Sequence, residues 1–116
     1  MAACVFCEIV AGRSPATIEY QDDEILAFPD IYPKAPIHLL IIPKRHVESV
    51  MALASGDAEL VGRLILAAKR IGELKGLAER GYRLGINCGP EGGQHVYHLH
   101  VHFLAGRLQD RRVERR

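Results

Sequence analysis

The chain has 116 residues, enough for one domain around a single core. Fifteen Lys and Arg against 14 Asp and Glu leave a net charge of +1, which excludes a dedicated nucleic-acid-coating surface, and no apolar run approaches the ~20 residues of a membrane span. The three cysteines, an odd count, fit a reducing compartment better than a disulfide framework, and Met1 to Glu8 lack the layout of a signal peptide. A cytoplasmic protein without nucleic-acid or membrane partners is expected.

In chain order, Phe6 to Ala11 predict one or two helical turns, ended by Gly12. Thr17 to Tyr20 and Ile25 to Phe28 read as short strands around the acidic turn Gln21-Asp22-Asp23-Glu24. Pro29 to Pro36 is a loop with three prolines. Ile37 to Ile42 reads as a buried strand stopped by Pro43, and Val47 to Leu53 as a short helix. The strongest helix signal follows, with Asp57 as N-cap. Leu60, Val61, Leu64, Ile65, Ala68, Ile71 and Leu74 recur at helical spacing, and Gly76 and Gly81 are the stop signals. That apolar stripe is wide enough to cover a sheet and also to meet a partner subunit. Tyr82 to Cys88 reads as a strand, Gly89 to Gly93 as a glycine-rich loop, and a histidine-bearing strand comes next. The fold class is α+β: a mostly antiparallel sheet of about five strands with one long helix and a short N-terminal helix.

The last strand carries the chemistry. In His98-Leu99-His100-Val101-His102-Phe103-Leu104, three histidines alternate with apolar residues. Alternation in a strand puts the imidazoles on one face and Leu99, Val101 and Phe103 on the other. Clustered imidazoles are costly unless they bind a metal or an anion or do chemistry. Gly92-Gly93-Gln94-His95 precedes them, and Asn87 stands before the loop. Glycines let backbone amides approach an anion, Asn87 and Gln94 supply neutral hydrogen bonds, and a neutral imidazole can attack phosphorus. The pattern reads as a phosphate site with a histidine nucleophile. Cys4, Cys7, His46 and His98 make a complete tetrahedral zinc set, structural because four protein ligands leave no open position. Free thiols beside a helix start are the alternative.

These stretches together resemble the histidine triad (HIT) family. Residues 98–104 match its His-φ-His-φ-His-φ-φ motif, where φ is apolar. The similarity runs from about Cys4 to Arg107 and includes Phe6 to Val10, Ala27 to Ile31, Ala35 to His46 and Gly92 to His98. It is nearest to the Hint-like nucleoside phosphoramidase branch. The expected domain is therefore 1–107, with 108–116 a short basic tail. The resemblance implies that His100 is the nucleophile, that His102 contacts the phosphate, and that His38 sits beside His100 and helps set its protonation. It implies that Asn87, Gly93 and Gln94 line the phosphate and ribose site and that Asp30 accepts the ribose hydroxyls. Val5, Phe6, Ile9, Phe28 and Ile31 would form the apolar base slot. It also implies zinc on Cys4, Cys7, His46 and His98, and a homodimer formed through the long helix.

Two features depart from that branch. His95 stands where a serine or threonine is common, so an imidazole replaces a hydroxyl as donor to the phosphate or the leaving group. The Leu108 to Arg116 ending lacks the Trp-Pro-Pro type of terminus that shapes the leaving-group side in some relatives. The expected activity is cleavage of a purine nucleoside 5'-phosphoramidate at the α-phosphate, through a nucleotidyl-histidine. The alternatives are a dinucleoside polyphosphate hydrolase or phosphorylase, and a nucleotide-binding module with negligible turnover.

Overall fold

Cys4 opens the first helix, α1 (Val5–Val10): its Sγ accepts the Cys7 backbone N–H at 3.3 Å. Gly12, at φ 79°, turns the chain out of it. The computed structural model describes residues 4–106, so Arg107 and the tail at 108–116 lie outside the described residues. Five strands follow: β1 (Tyr20–Gln21), β2 (Ile25–Pro29), β3 (Ile37–Pro43), β4 (Arg83–Gly85) and β5 (Val101–Ala105). They form one sheet in the order β1-β2-β3-β5-β4, and every neighbouring pair is antiparallel. The long helix is α2 (Ala58–Leu74).

Parity organises the sheet. Ile25 and Ala27 of β2, Leu39 and Ile41 of β3, and Val101, Phe103 and Ala105 of β5 share one core with Leu60, Leu64, Ala67, Ala68 and Ile71 of α2. The intervening residues Leu26, Phe28, Leu40 and Ile42 pack on the opposite face around Phe6 of α1. Each such side chain contributes about 1.5–3 kcal/mol by leaving water. His38 and His102 share the parity of Leu40, so they rise from the α1 face; Leu40 is the register partner of His102.

Several elements differ from expectation, each for a local reason. The first strand is Tyr20–Gln21 rather than Thr17 to Tyr20, because β1 meets only Leu26 and Ala27 of β2 in register. The turn after it is held by Asp22 Oδ1, which accepts the Glu24 and Ile25 N–H groups at 2.9 and 2.8 Å. Pro29 ends β2 and Pro43 ends β3 as ladder residues. Val47 to Leu53 is not a helix: only Val50–Ala52 forms a 3-10 turn, capped by Ser49. Val47 is buried and its carbonyl accepts the Leu99 N–H at 2.7 Å, so that backbone serves another element. Asp57 is the N-cap residue of α2 as expected, but its side chain caps no helix N–H; its carboxylate accepts the Ala54 N–H and pairs with Arg45. β4 stops at Gly85 because Asn87 is drawn to the glycine loop, its Nδ2 donating to the Gly92 carbonyl at 2.7 Å. β5 starts only at Val101, since the Leu99 amide and the His98 carbonyl are both bonded outside the ladder.

Ile65, Leu66 and Leu74 of α2 stay exposed, and no helix among the described residues is long and apolar enough to cross a membrane. At the other edge of α2, Gly72 lies against Tyr82, whose ring stacks on Phe103 at 4.5 Å. A Cβ at Gly72 would come within 2.5 Å of the Tyr82 ring. Gly72→Ala is therefore expected to lose about 1–3 kcal/mol by overpacking, read as a lower urea midpoint.

Candidate active site

Three backbone groups decide what the histidines can do. The His98 carbonyl lies 2.7 Å from His100 Nδ1, so Nδ1 carries the proton and donates it. The Nε2 lone pair of His100 is thereby left free. The Lys34 backbone N–H donates to His38 Nδ1 at 3.0 Å, which puts the His38 proton on Nε2. That proton faces His102 Nδ1 at 3.0 Å, so His102 accepts there and its own N–H is on Nε2. His100 and His102 thus hold opposite tautomers, one a base at Nε2 and the other a donor at Nε2. The rings are 5.0 Å apart.

Here the structure corrects one expected position. His38 bonds to His102, and the tautomer of His100 is set instead by the chain's own carbonyl at His98. Asp30, expected at the sugar, also has its carboxylate bonded within the protein. Oδ1 accepts the Tyr32 N–H at 2.8 Å and Oδ2 lies 3.3 Å from His38 Nε2. Lys34, whose amide fixes this arrangement, carries no sequence signal, because any residue but proline supplies an N–H.

Phe6 is the centre of the apolar wall. Its ring meets Phe28 and His100 edge-on at 5.3 Å and His98 at 5.8 Å. Ile9 packs in the same cluster, whereas Val5 and Ile31 are exposed, Ile31 by 81%. The base-slot residues therefore divide into a packed floor of Phe6, Ile9 and Phe28 and two residues open to solvent. Gln94 is buried and fully engaged: Oε1 accepts the Gly89 N–H, and Nε2 donates to the Glu48 and Val96 carbonyls. Asn87, half-buried, donates its Nδ2 to the Gly92 carbonyl, so both amides help to shape the glycine loop. Gly93 has φ 86°, and a Cβ at Gly92 would overlap the Cys88 carbonyl oxygen, so both positions need glycine. His95 follows them and is exposed.

Cys4, Cys7, His46 and His98 converge below Phe6, their donor atoms all within 4.8 Å of one another. His98 Nδ1 lies 3.4 and 3.6 Å from the sulfurs of Cys4 and Cys7, and 3.3 Å from His46 Nδ1. A tetrahedral zinc with ordinary bond lengths separates its nitrogens by about 3.3 Å and nitrogen from sulfur by about 3.6 Å. His98 Nε2 donates to the Pro43 carbonyl at 2.7 Å, which frees Nδ1 as a ligand and aims the ring. The donor set and its spacing fit such an ion.

Burial favours the neutral form of His38, His98 and His102. It pushes His98 down, and pushes His38 down against the opposing pull of Asp30. His102 is pushed down to about 4, by burial first and then by His100 and His38. An unfolded histidine takes its proton near pH 6.5. Between pH 6.5 and 4 the unfolded chain therefore binds a proton that His102 does not, and stability falls as pH falls through that window. The melting temperature should be lower at pH 5 than at pH 7.5, and His102→Gln should lessen the drop. An equal drop in both proteins would assign the acid sensitivity elsewhere.

The comparisons with known proteins agree with this geometry. The family model described as "Scavenger mRNA decapping enzyme C-term binding" matches residues 3–116. The purine nucleoside phosphoramidase of Escherichia coli (strain K12) is 45% identical over 103 residues, 89% of this chain and 87% of that protein. Among solved structures, a HIT family hydrolase from Legionella pneumophila superposes with a TM-score of 0.90 at 46% identity, covering 94% of this chain and 97% of that one. A zinc-bound histidine triad family protein from Mycobacterium smegmatis gives 0.81 at 34% identity, covering 94% and 78%. Matched over nearly its whole described length, and with its histidines set as a base and a donor side by side, the chain belongs to the histidine triad family of nucleotide hydrolases.

Proposed function

We propose that the protein is a purine nucleoside phosphoramidase, cleaving a nucleoside 5'-phosphoramidate into the nucleoside monophosphate and an amine. The observation that carries this reading is the pair of opposite tautomers at His100 and His102. The His100 Nε2 lone pair forms a bond to the α-phosphorus. The phosphorus–nitrogen bond to the amine breaks, and its electron pair stays on that nitrogen, which takes a proton from His95 or solvent. In the nucleotidyl-His100 adduct the ring is cationic, and its Nδ1–H on the His98 carbonyl stabilises that charge. Water then adds at phosphorus and gives up a proton, and Nε2 departs with its lone pair.

The other residues bind and orient. His102 Nε2–H donates to a phosphate oxygen, with the backbone amides around Gly93 beside it. Phe6, Ile9 and Phe28 floor the base slot, Val5 and Ile31 flank it, and the ribose hydroxyls meet the Asp30 carboxylate. Cys4, Cys7, His46 and His98 hold zinc, which supplies no chemistry to the reaction and ties α1 to the sheet. The exposed Ile65, Leu66 and Leu74 belong to a homodimer face, and Cys4, Cys7 and Cys88, none of them in a disulfide, fit a cytoplasmic setting.

The test is turnover of adenosine 5'-phosphoramidate beside diadenosine tetraphosphate. Faster release of AMP from the phosphoramidate is expected. Cleavage of the tetraphosphate alone would make the protein a dinucleoside polyphosphate hydrolase. Tight nucleotide binding with neither activity would make it a binding module.

A further inference from the structure

The attachment of α1 to the sheet is narrow. Among the described residues, every hydrogen bond and ion pair of residues 4–14 stays inside that segment, except where the Cys4 and Cys7 sulfurs meet His46 and His98. The rest of the attachment is apolar: Phe6 is buried, and Cys4, Ile9 and Val10 pack partly buried beside it. A six-residue helix is not stable by itself. Burying one phenyl ring offsets the ordering of only about one or two residues. Whether α1 lies on the sheet is therefore decided largely where the two sulfurs meet the two imidazoles.

We propose that the Cys4, Cys7, His46 and His98 site is allosteric: metal binding there and nucleotide binding at the base slot are one coupled equilibrium, with Phe6 as the link. This rests on Phe6 flooring the base slot, as above, and adds a regulation of that slot. Phe6 lies in sequence between two of the ligands and in space between the two sites. Its ring meets the ring of His98, a ligand, at 5.8 Å, and the rings of His100 and Phe28, on the slot side, at 5.3 Å. Four donors drawn to one ion fix α1, and the Phe6 ring then stands as a finished wall. Without the ion, α1 loses its polar tie to the sheet and the slot loses its floor. Conversely, a purine seated against Phe6 holds α1 where Cys4 and Cys7 face His46 and His98. The factor by which metal raises nucleotide affinity must equal the factor by which nucleotide raises metal affinity.

The phosphate side is held by other means, so the coupling belongs to the base. His98 keeps its place through Nε2 on the Pro43 carbonyl, and Leu99 through its N–H on the Val47 carbonyl. The His98 carbonyl therefore still receives His100 Nδ1–H when the metal is gone. His102 is held by His38, and the glycine loop by Asn87 and Gln94. None of these bonds involves α1.

The experiment is calorimetric binding of AMP and of ribose 5-phosphate to zinc-loaded and to chelator-stripped protein, below the melting temperature of the stripped form. AMP should bind roughly 10- to 100-fold more weakly to the stripped protein, while ribose 5-phosphate changes by less than about twofold. In the reciprocal arm, saturating AMP should tighten zinc binding by the same factor, read by competition with a chromophoric chelator, and ribose 5-phosphate should not. In Phe6→Ala, AMP affinity should be low with or without zinc, and zinc affinity should not respond to AMP. Phe6→Leu, with the coupling reduced, replaces that variant if the alanine form does not fold. If stripping unfolds the protein, the zinc-affinity arm decides. Equal AMP affinity in the two forms overturns the proposal, as does a shift that ribose 5-phosphate reproduces or that persists in Phe6→Ala. Absence of AMP binding to the zinc-loaded protein overturns it together with the base slot. All readouts are binding, so coupling without phosphoramidate cleavage removes the activity and keeps this inference, and cleavage without coupling does the reverse.

Discussion

His100→Ala should reduce phosphoramidate turnover by roughly four orders of magnitude or more, while nucleotide affinity stays within a few-fold. The reason is in the hydrogen-bond network. His100 Nε2 is the basic lone pair that two tautomer assignments leave available: His38 Nε2 carries a proton, and His102 Nε2 carries another. Removing His102 or His38 weakens orientation and charge stabilisation; removing His100 deletes the atom that bonds phosphorus. The check is a single-turnover assay with an alpha-labelled substrate. Acid-quenched wild-type protein should carry label on His100, and the variant should carry none. A variant that retains more than a hundredth of the wild-type rate would show that water attacks directly, with His100 only an electrostatic neighbour. Because the ring packs edge-on to Phe6, isothermal binding of AMP is needed beside the rates, to separate lost chemistry from a disturbed slot.

Metal removal should give the second large effect, on stability. Four ligands come from three separated parts of the chain: Cys4 and Cys7 at α1, His46 after β3, and His98 before β5. An ion bound only by the folded protein at a thousandfold above its dissociation constant adds about 4 kcal/mol. For a domain of this size that corresponds to a melting temperature roughly 15 °C higher. Chelator treatment, or Cys4→Ser with Cys7→Ser, should lower it by that order. Elemental analysis of the untreated protein should give one zinc per chain. The loss should be concentrated in hydrogen-exchange protection of α1, since Phe6 and Ile9 are held against the sheet by a six-residue helix that cannot stand alone. Unaltered melting after complete chelation would mean that the cysteines are free thiols and the spacing serves packing only.

How much of this was legible beforehand depends on which atoms do the work. The histidine alternation was legible because strand parity is a property of side-chain order, and Leu99, Val101 and Phe103 do enter the core opposite the imidazoles. The convergence of Cys4, Cys7, His46 and His98 was legible because the four residues are chemically distinctive. The long helix from Leu60 onward was legible from its period. What the sequence hid was backbone chemistry. The Lys34 amide, the Pro43 carbonyl and the His98 carbonyl set the tautomers of His38, His98 and His100, and no side chain announces them. Gln94 and Asn87 were read as ligand-facing because amides bond well, and what the sequence did not show is that Gln94 Oε1 accepts the Gly89 N–H and Asn87 Nδ2 donates to the Gly92 carbonyl, which closes the glycine loop. His38 was placed beside the wrong triad member for a related reason. Its neighbour is decided by the β3–β5 register, where His38 lies opposite Leu104 and Leu40 opposite His102.

That register has a consequence for how this protein can change. β2, β3 and β5 each send alternate residues to the helix-covered core and to the reactive face. The two functions are interleaved at single-residue pitch, like two messages printed on alternate letters of one line. Apolar exchanges at Leu99 or Val101 alter only one message. A single-residue deletion between His98 and Phe103 would shift the frame of both, driving imidazoles into the packing under α2 and turning Val101 and Phe103 outward. Variation in this segment is therefore confined to substitution, and length changes must fall in the glycine loop before it or beyond Ala105.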